Sequence, residues 1–353
     1  MTTVLETPPQ EQQLVSNRRG LGRAGTLIVR ILRQREAQLI LAILLVGGIS
    51  ATIHPDFVAS GNISFMLADS VGIMVLAIGE TIVIIGRGID LSVAPILGIA
   101  AIAVGFPAQN HNLNIFAALA LVILIGIALG VGNGLLVSVA SLPPIIATLA
   151  TLAVYGGLQF IFSSGNEVSS IPNSYYDLGS SDVVPGIPWL ILIGIGLVVL
   201  TTFFLQKTSP GRSIYAIGNN AEAAFRAGIP VRRVLFLTYV LCGLLAGIGG
   251  LIYLCHVGSA DSTTGSDSNV NLNAIAAALI GGTALSGGRG RPAGAALGAV
   301  FLSVALTAMV FLRIPPIWEP AGVGALILLA VVTDRRGPTG VRRVARRARG
   351  VGS

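Results

Sequence analysis

The chain holds a single lysine, Lys207, and only 10% of its 353 residues carry charge, against about 25% in an average soluble domain. Lys207 follows no glycine-rich loop, so the chain has no phosphate-cradling turn and is not by itself a P-loop ATPase. Cysteine is almost missing as well. Cys242 and Cys255 lie in one apolar segment, 13 residues apart, which in a helix is about 20 Å and too far for a disulfide. No Cys/His spacing suits a metal, and no Ser/His/Asp set suits nucleophilic catalysis. We therefore assign no catalytic residue, no metal ligand and no cofactor to this chain. His54, His111 and His256 lie far apart and read as interfacial residues. The polar, Arg-rich first 36 residues lack a cleavable-signal pattern.

Apolar residues and glycine fill the space. The first make up 53% of the chain, and there are 45 glycines. Such a chain cannot cover itself with polar surface in water, but in lipid it need not, and small residues let transmembrane helices approach closely. Spanning helices need about 20 apolar residues. Ten segments qualify: 37–53, 66–86, 91–106, 116–139, 144–163, 188–206, 234–256, 271–286, 293–311 and 317–333. The third and eighth are short and polar at one end, so a tilted, broken or re-entrant course is open for both. With the N-terminus inside, every Lys and Arg except Arg313 falls on the cytoplasmic side, as the positive-inside rule requires. The basic clusters flank spanning runs, which argues against nucleic-acid binding. The expected fold is an all-α polytopic bundle with both termini cytoplasmic. It has a tail over 1–36, a membrane domain over 37–334 with an inner loop at 207–233, and a basic tail over 335–353.

The inner loop contains Asn219, with Glu222 three residues on, which predicts a capped helix over 220–227. Gly228 and Pro230 end it. Two turns are too short to be stable alone. The helix either packs on its own subunit or inserts into a partner ATPase. Asp90, in Gly86-Arg-Gly-Ile-Asp-Leu-Ser-Val93, sits between two apolar runs, where a charge is costly. It reads first as a turn residue that caps a helix or pairs with Arg87, and otherwise as a substrate or gating group; Ser92 is placed to cap the next helix. Glu80, Asn133 and Gln159 are polar groups inside spans, and Asp69 lies nearer the outer end of its span. They suit a sugar pathway and equally suit helix–helix hydrogen bonds. Gly126/Gly130/Gly134, Gly243/Gly247 and Gly294/Gly298 predict close helix packing. Gly88-Ile-Asp-Leu-Ser-Val before Pro95 echoes Gly282-Thr-Ala-Leu-Ser-Gly before Pro292, a hint of an internal repeat. The outer loops 164–187 and 257–270 are polar and acidic, and read as solvated connectors or as a surface for a soluble partner.

Gly88-Ile-Asp-Leu-Ser-Val, Gly218-Asn-Asn-Ala-Glu-Ala-Ala-Phe-Arg-Ala-Gly-Ile and Asn273-Ala-Ile-Ala-Ala-Ala-Leu-Ile-Gly-Gly-Thr-Ala-Leu-Ser-Gly-Gly-Arg-Gly resemble the ribose-type monosaccharide permease family of ABC importers. Leu241-Cys-Gly-Leu-Leu-Ala-Gly-Ile-Gly-Gly adds to the match, which covers about residues 40–334. Ala94 departs from the glycine common there. The resemblance implies a permease of the bacterial inner membrane, paired with itself or a paralogue. It also implies a cytoplasmic ABC ATPase that carries the ATP and Mg, and an extracytoplasmic solute-binding protein. Asn219, Asn220, Glu222, Ala223, Ala224, Phe225, Arg226 and Gly228 become the ATPase-facing segment. Glu80, Asp90, Ser92, Asn133 and Gln159 are the candidates for the pathway or its gating. The competing reading is an ion-coupled secondary transporter with Glu80 and Asp90 as carriers.

Overall fold

Runs this apolar must satisfy their own backbone hydrogen bonds, and the α-helix does so within one segment. The computed structural model describes residues 35–266 and 269–335. The membrane helices are α1 (Arg35–Ile53), α2 (Ser60–Ile85), α3 (Val93–His111), α4 (Ile115–Gly134) and α5 (Pro144–Ser163). After α6 (Asn173–Ser180) comes a two-stranded hairpin of β1 (Asp182–Val184) and β2 (Ile187–Pro188). Next are α7 (Trp189–Lys207), α8 (Ser209–Asn219), α9 (Ala221–Arg226) and α10 (Val231–Val257). The chain continues through α11 (Val270–Ile280), α12 (Pro292–Phe311) and α13 (Glu319–Arg335).

Among the described residues, eight helices are long and apolar enough to cross a membrane, and two shorter apolar helices lie near the C-terminal end. Each falls on one of the ten segments expected from the sequence. The third expected span is an unbroken helix, α3. The eighth is cut short: α11 has 11 residues, about 16 Å at 1.5 Å each. It ends at Gly281 and Gly282, and the latter sits at φ +97°, a conformation that favours glycine. α4 leaves its regular course in a π-turn at Leu135–Val139. The tails expected over 1–36 and 335–353 lie, but for their innermost residues, outside the described part.

Burial sorts the helices. The membrane window of α2 is 89% buried, whereas that of α1 is 11% and that of α4 22%. Leu44, Phe116, Leu124, Ile161 and Phe203 are all exposed, which suits a lipid solvent and would be unfavourable in water. α2 forms the axis, and α10 packs against it, α3 and α4. The α4–α10 seam is made by the glycines themselves. A Cβ at Gly126 would strike the Gly243 carbonyl, one at Gly130 the Tyr239 carbonyl, and one at Gly247 the Val122 carbonyl. Gly294 and Gly298 of α12 meet Gly281 and Ala277 of α11 in the same way.

Both described ends of the chain lie at the end that carries α9. Arg35 donates to the Ala330 carbonyl at 3.4 Å, and Glu36 pairs with Arg291 at 3.0 Å. We call this the inner end, because Arg87, Lys207, Arg212, Arg226, Arg232, Arg233, Arg289 and Arg291 all belong to its connections. At the outer end, loop 164–187 is folded rather than merely solvated. Tyr175 is fully buried and donates to the Leu113 carbonyl at 2.8 Å, and Val168 bridges Ala260.

Candidate functional site

The short inner helix forms one residue later than expected. Asn220, not Asn219, is the N-cap of α9, and its Oδ1 accepts the Ala223 N–H at 3.0 Å. Asn219 instead ends α8, where its amide donates to the Tyr215 carbonyl at 2.8 Å. With the cap moved, Glu222 does not complete a capping box; it forms an exposed ion pair with Arg226 one turn on. The stop is as expected. Gly228 has φ +81° and donates to Phe225, while Ile229 donates to Ala224, which together make a Schellman turn. Ala224 is buried against the body of the protein, and Phe225 points outward, 71% exposed.

Four hydrogen bonds join α8, which leads into this helix, the end of α2 with its following turn, and the loop before α12. Arg87 donates from Nε to the Gly218 carbonyl and from Nη2 to that of Asn219, at 2.7 and 2.8 Å. The Gly288 N–H reaches the Ile85 carbonyl at 2.9 Å, and Tyr215 donates to the Gly290 carbonyl at 2.9 Å. The loop that holds the second of the two echoing segments therefore lies against the end of α2, just before the first, and its Thr283 is hydrogen-bonded to Thr81 of α2 at 3.1 Å. Arg87 has φ +69°, a region that costs a non-glycine residue about 1 kcal/mol or more.

The same turn carries a buried polar knot. Asp90 Oδ1 accepts from the Ser92 N–H at 3.0 Å and from the Ser92 hydroxyl at 2.7 Å. Asn133 on α4 donates to both Asp90 oxygens, at 3.2 and 3.1 Å, and to Ser92 Oγ at 2.7 Å. Glu80 Oε2 accepts the Asp90 N–H at 3.4 Å. All four residues are fully buried. Asp90 thus closes a turn with Ser92, and Arg87 turns away from it toward α8. Among the described residues, Glu80 Oε1, Asn133 Oδ1 and the Tyr239 hydroxyl have no hydrogen-bond partner. Next to the knot is a cavity of about 380 Å³, lined by Arg87, Gly88, Pro144, Ala221 and Tyr239 among others.

Gln159 stands apart from the knot. It donates to the carbonyls of Asp261 and Thr264, at 3.1 and 3.0 Å, and so ties α5 to the outer loop. Burial alone would raise the Asp261 carboxyl, but hydrogen bonds from Thr263 and Thr264 outweigh it and hold the group below its usual range. Arg87 and Tyr239 went unrecognised as parts of the inner site in the sequence. Their partners are carbonyls and glycines distant in the chain, which leave no local pattern.

Apolar helices of spanning length, folded around a polar knot and presenting one capped helix at the basic end, define a multi-pass transport subunit of the bacterial inner membrane. The comparisons give that class a family. The family model described as "Branched-chain amino acid transport system / permease component" matches residues 62–331, and the chain belongs to this family. It is similar to the autoinducer 2 import system permease protein LsrC of Enterobacter sp. (strain 638), 34% identical over 87% of this chain and 88% of that protein. It is likewise similar to the probable ABC transporter permease protein y4mJ of Sinorhizobium fredii, 36% identical over 84% and 87%. LsrC of Klebsiella pneumoniae is 34% identical over 87% and 88%. No solved structure matches the chain significantly.

Proposed function

We propose that this permease forms the translocation pathway of an ATP-driven importer for a monosaccharide or a similar small polar solute. Its partners are a second permease subunit, a cytoplasmic ABC ATPase and an extracytoplasmic solute-binding protein. The observation that carries the reading is α9, capped at both ends, seated on Ala224 and holding Phe225 out at the basic face. An exposed aromatic on a short rigid helix is the kind of anchor that dominates a protein interface. ATP is bound and hydrolysed on the partner, and this chain supplies the lever. A push on α9 reaches Gly218 and Asn219, passes through Arg87 into the turn after α2, and arrives at Asp90 and Asn133. The relatives named for import support the direction of transport.

Phe225→Ala tests the reading, because it removes the anchor and leaves caps and backbone in place. Loss of an interface anchor of this kind costs about 2 kcal/mol or more, roughly thirtyfold in affinity. Co-purification with the ATPase and ATP-dependent uptake into proteoliposomes should both fall, with membrane insertion unchanged. Undiminished uptake by the variant counts against the lever.

A further inference from the structure

At the outer end, away from α9, a second cavity of about 180 Å³ lies among α2, α10, α11, α12 and α13. Two carboxyls line it, Asp69 of α2 and Glu319 of α13, and no Lys or Arg does. They are close enough to repel one another, and among the described residues neither is ion-paired with a Lys or Arg. Ser303 donates to Asp69 at 2.9 Å, which satisfies one oxygen without supplying charge. Asn273 of α11 belongs to the same lining. Its side chain hydrogen-bonds Glu319. Among the described residues its Oδ1 nevertheless has no partner, although Asn273 is only 5% exposed. A buried amide oxygen left bare calls for a donor that the chain itself does not supply.

Like charges held side by side at membrane depth are costly unless a counter-charge joins them. Here the counter-charge must also donate, because all three groups accept. A metal ion fits poorly, since among the described residues no three His, Cys, Asp or Glu side chains converge to hold one. A primary ammonium carries one positive charge and three N–H donors, one each for Asp69, Glu319 and Asn273. Tyr253 and His256 add ring faces to the lining, against which a cation is also stabilised. We propose that this cavity binds the ammonium group of a small primary amine that arrives from the outer side. A lipid headgroup suits it less, because its phosphate would meet the same carboxyls with no basic residue in the lining to receive it. The site is made by this chain's own residues and does not depend on which solute the pathway carries.

Gly72 lines the same cavity, and a Cβ there meets nothing within 4 Å. Gly72→Cys therefore introduces a thiol without a clash, and the buried Cys242 and Cys255 set the background in the unsubstituted protein. The reporter is labelling of the full chain by neutral methyl methanethiosulfonate, in nanodiscs of phosphatidylcholine, which brings no primary ammonium. At about pH 8 an imidazole is uncharged and an alkylamine is not. Ethanolamine should slow the labelling. Ethylene glycol, which is neutral, and choline, which is cationic but has no N–H, should not do so at the same concentration. On the Gly72→Cys background, Asp69→Asn with Glu319→Gln keeps shape and removes charge, and should raise the half-protecting concentration of ethanolamine roughly tenfold or more. Asn273→Leu, which removes an acceptor and no charge, should raise it by a smaller factor. A thiol at position 72 that does not react, no protection by ethanolamine, equal protection by ethylene glycol or choline, or protection unchanged in these variants would each overturn the proposal.

Discussion

Arg87 and Gly218 belong to connections far apart in the chain, yet the guanidinium of one holds the carbonyl of the other at 2.7 Å. The second bond of the same side chain, to Asn219, fixes the residue just before the N-cap of α9. A planar fork with several donors suits two adjacent carbonyls, and a lysine ammonium reproduces that geometry poorly.

Arg87→Gly separates the two consequences of this residue. Glycine accepts φ +69° without strain, which offsets part of the loss of two hydrogen bonds from a charged donor, so thermal stability should fall by about 1–3 kcal/mol. Import should nevertheless fall while ATP hydrolysis by the complex continues, because α9 is no longer tied to the turn after α2. The ratio of solute moved to ATP consumed measures the effect. A ratio equal to that of wild type would show that Arg87 serves the fold alone.

Asn133 is the side chain that reaches Asp90 from another helix. Replacing it by leucine leaves Asp90 with Ser92 but strips the contact across to α4. Taking a donor away from a buried acceptor costs about 1–3 kcal/mol. Thermal unfolding of Asn133→Leu in detergent should therefore come several degrees early. Asn133→Asp places two carboxyls together and should do worse.

Two glycine substitutions should behave in opposite ways. Gly126→Val drives a side chain into the Gly243 carbonyl, where only backbone could yield, and the α4–α10 seam should open, with little folded protein recovered from the membrane. Gly156→Ala meets nothing within 4 Å on α5, and should stabilise the helix by about 0.5–1 kcal/mol. Yield after size-exclusion chromatography separates the two.

Much of this architecture is written locally. The apolar runs gave the membrane helices, and the Gly126 and Gly243 repeats marked close helix packing, though not that α4 and α10 are the pair that meet. Gly228 and Pro230 marked the end of α9 for the same reason, since each acts on its own backbone. α8 went unrecognised although its signals are present: Thr208 caps it through Gly211, and Pro210 sits in its first turn. α6 and the small hairpin were also missed, because Tyr175 is ordered by the Leu113 carbonyl rather than by its neighbours. Glu80, Asp90, Ser92 and Asn133 were each visible as polar residues in apolar surroundings. Their meeting was not, since it depends on how α2 and α4 are brought together. Gln159 was grouped with them by residue type alone, and the structure ties it instead, from α5, to the carbonyls of Asp261 and Thr264 in the outer loop.

The order in which this chain is made does not match the order in which it packs. α2 is synthesised early, but α10, α11 and α12, which enclose it, begin only at Val231, Val270 and Pro292. Until those arrive, Glu80 would face hydrocarbon, where an ionisable group is costly. A nascent chain must therefore shelter α2 beside the insertion apparatus through the making of seven further helices, α3 to α9, and truncations that stop short of α10 should be targets for membrane proteases.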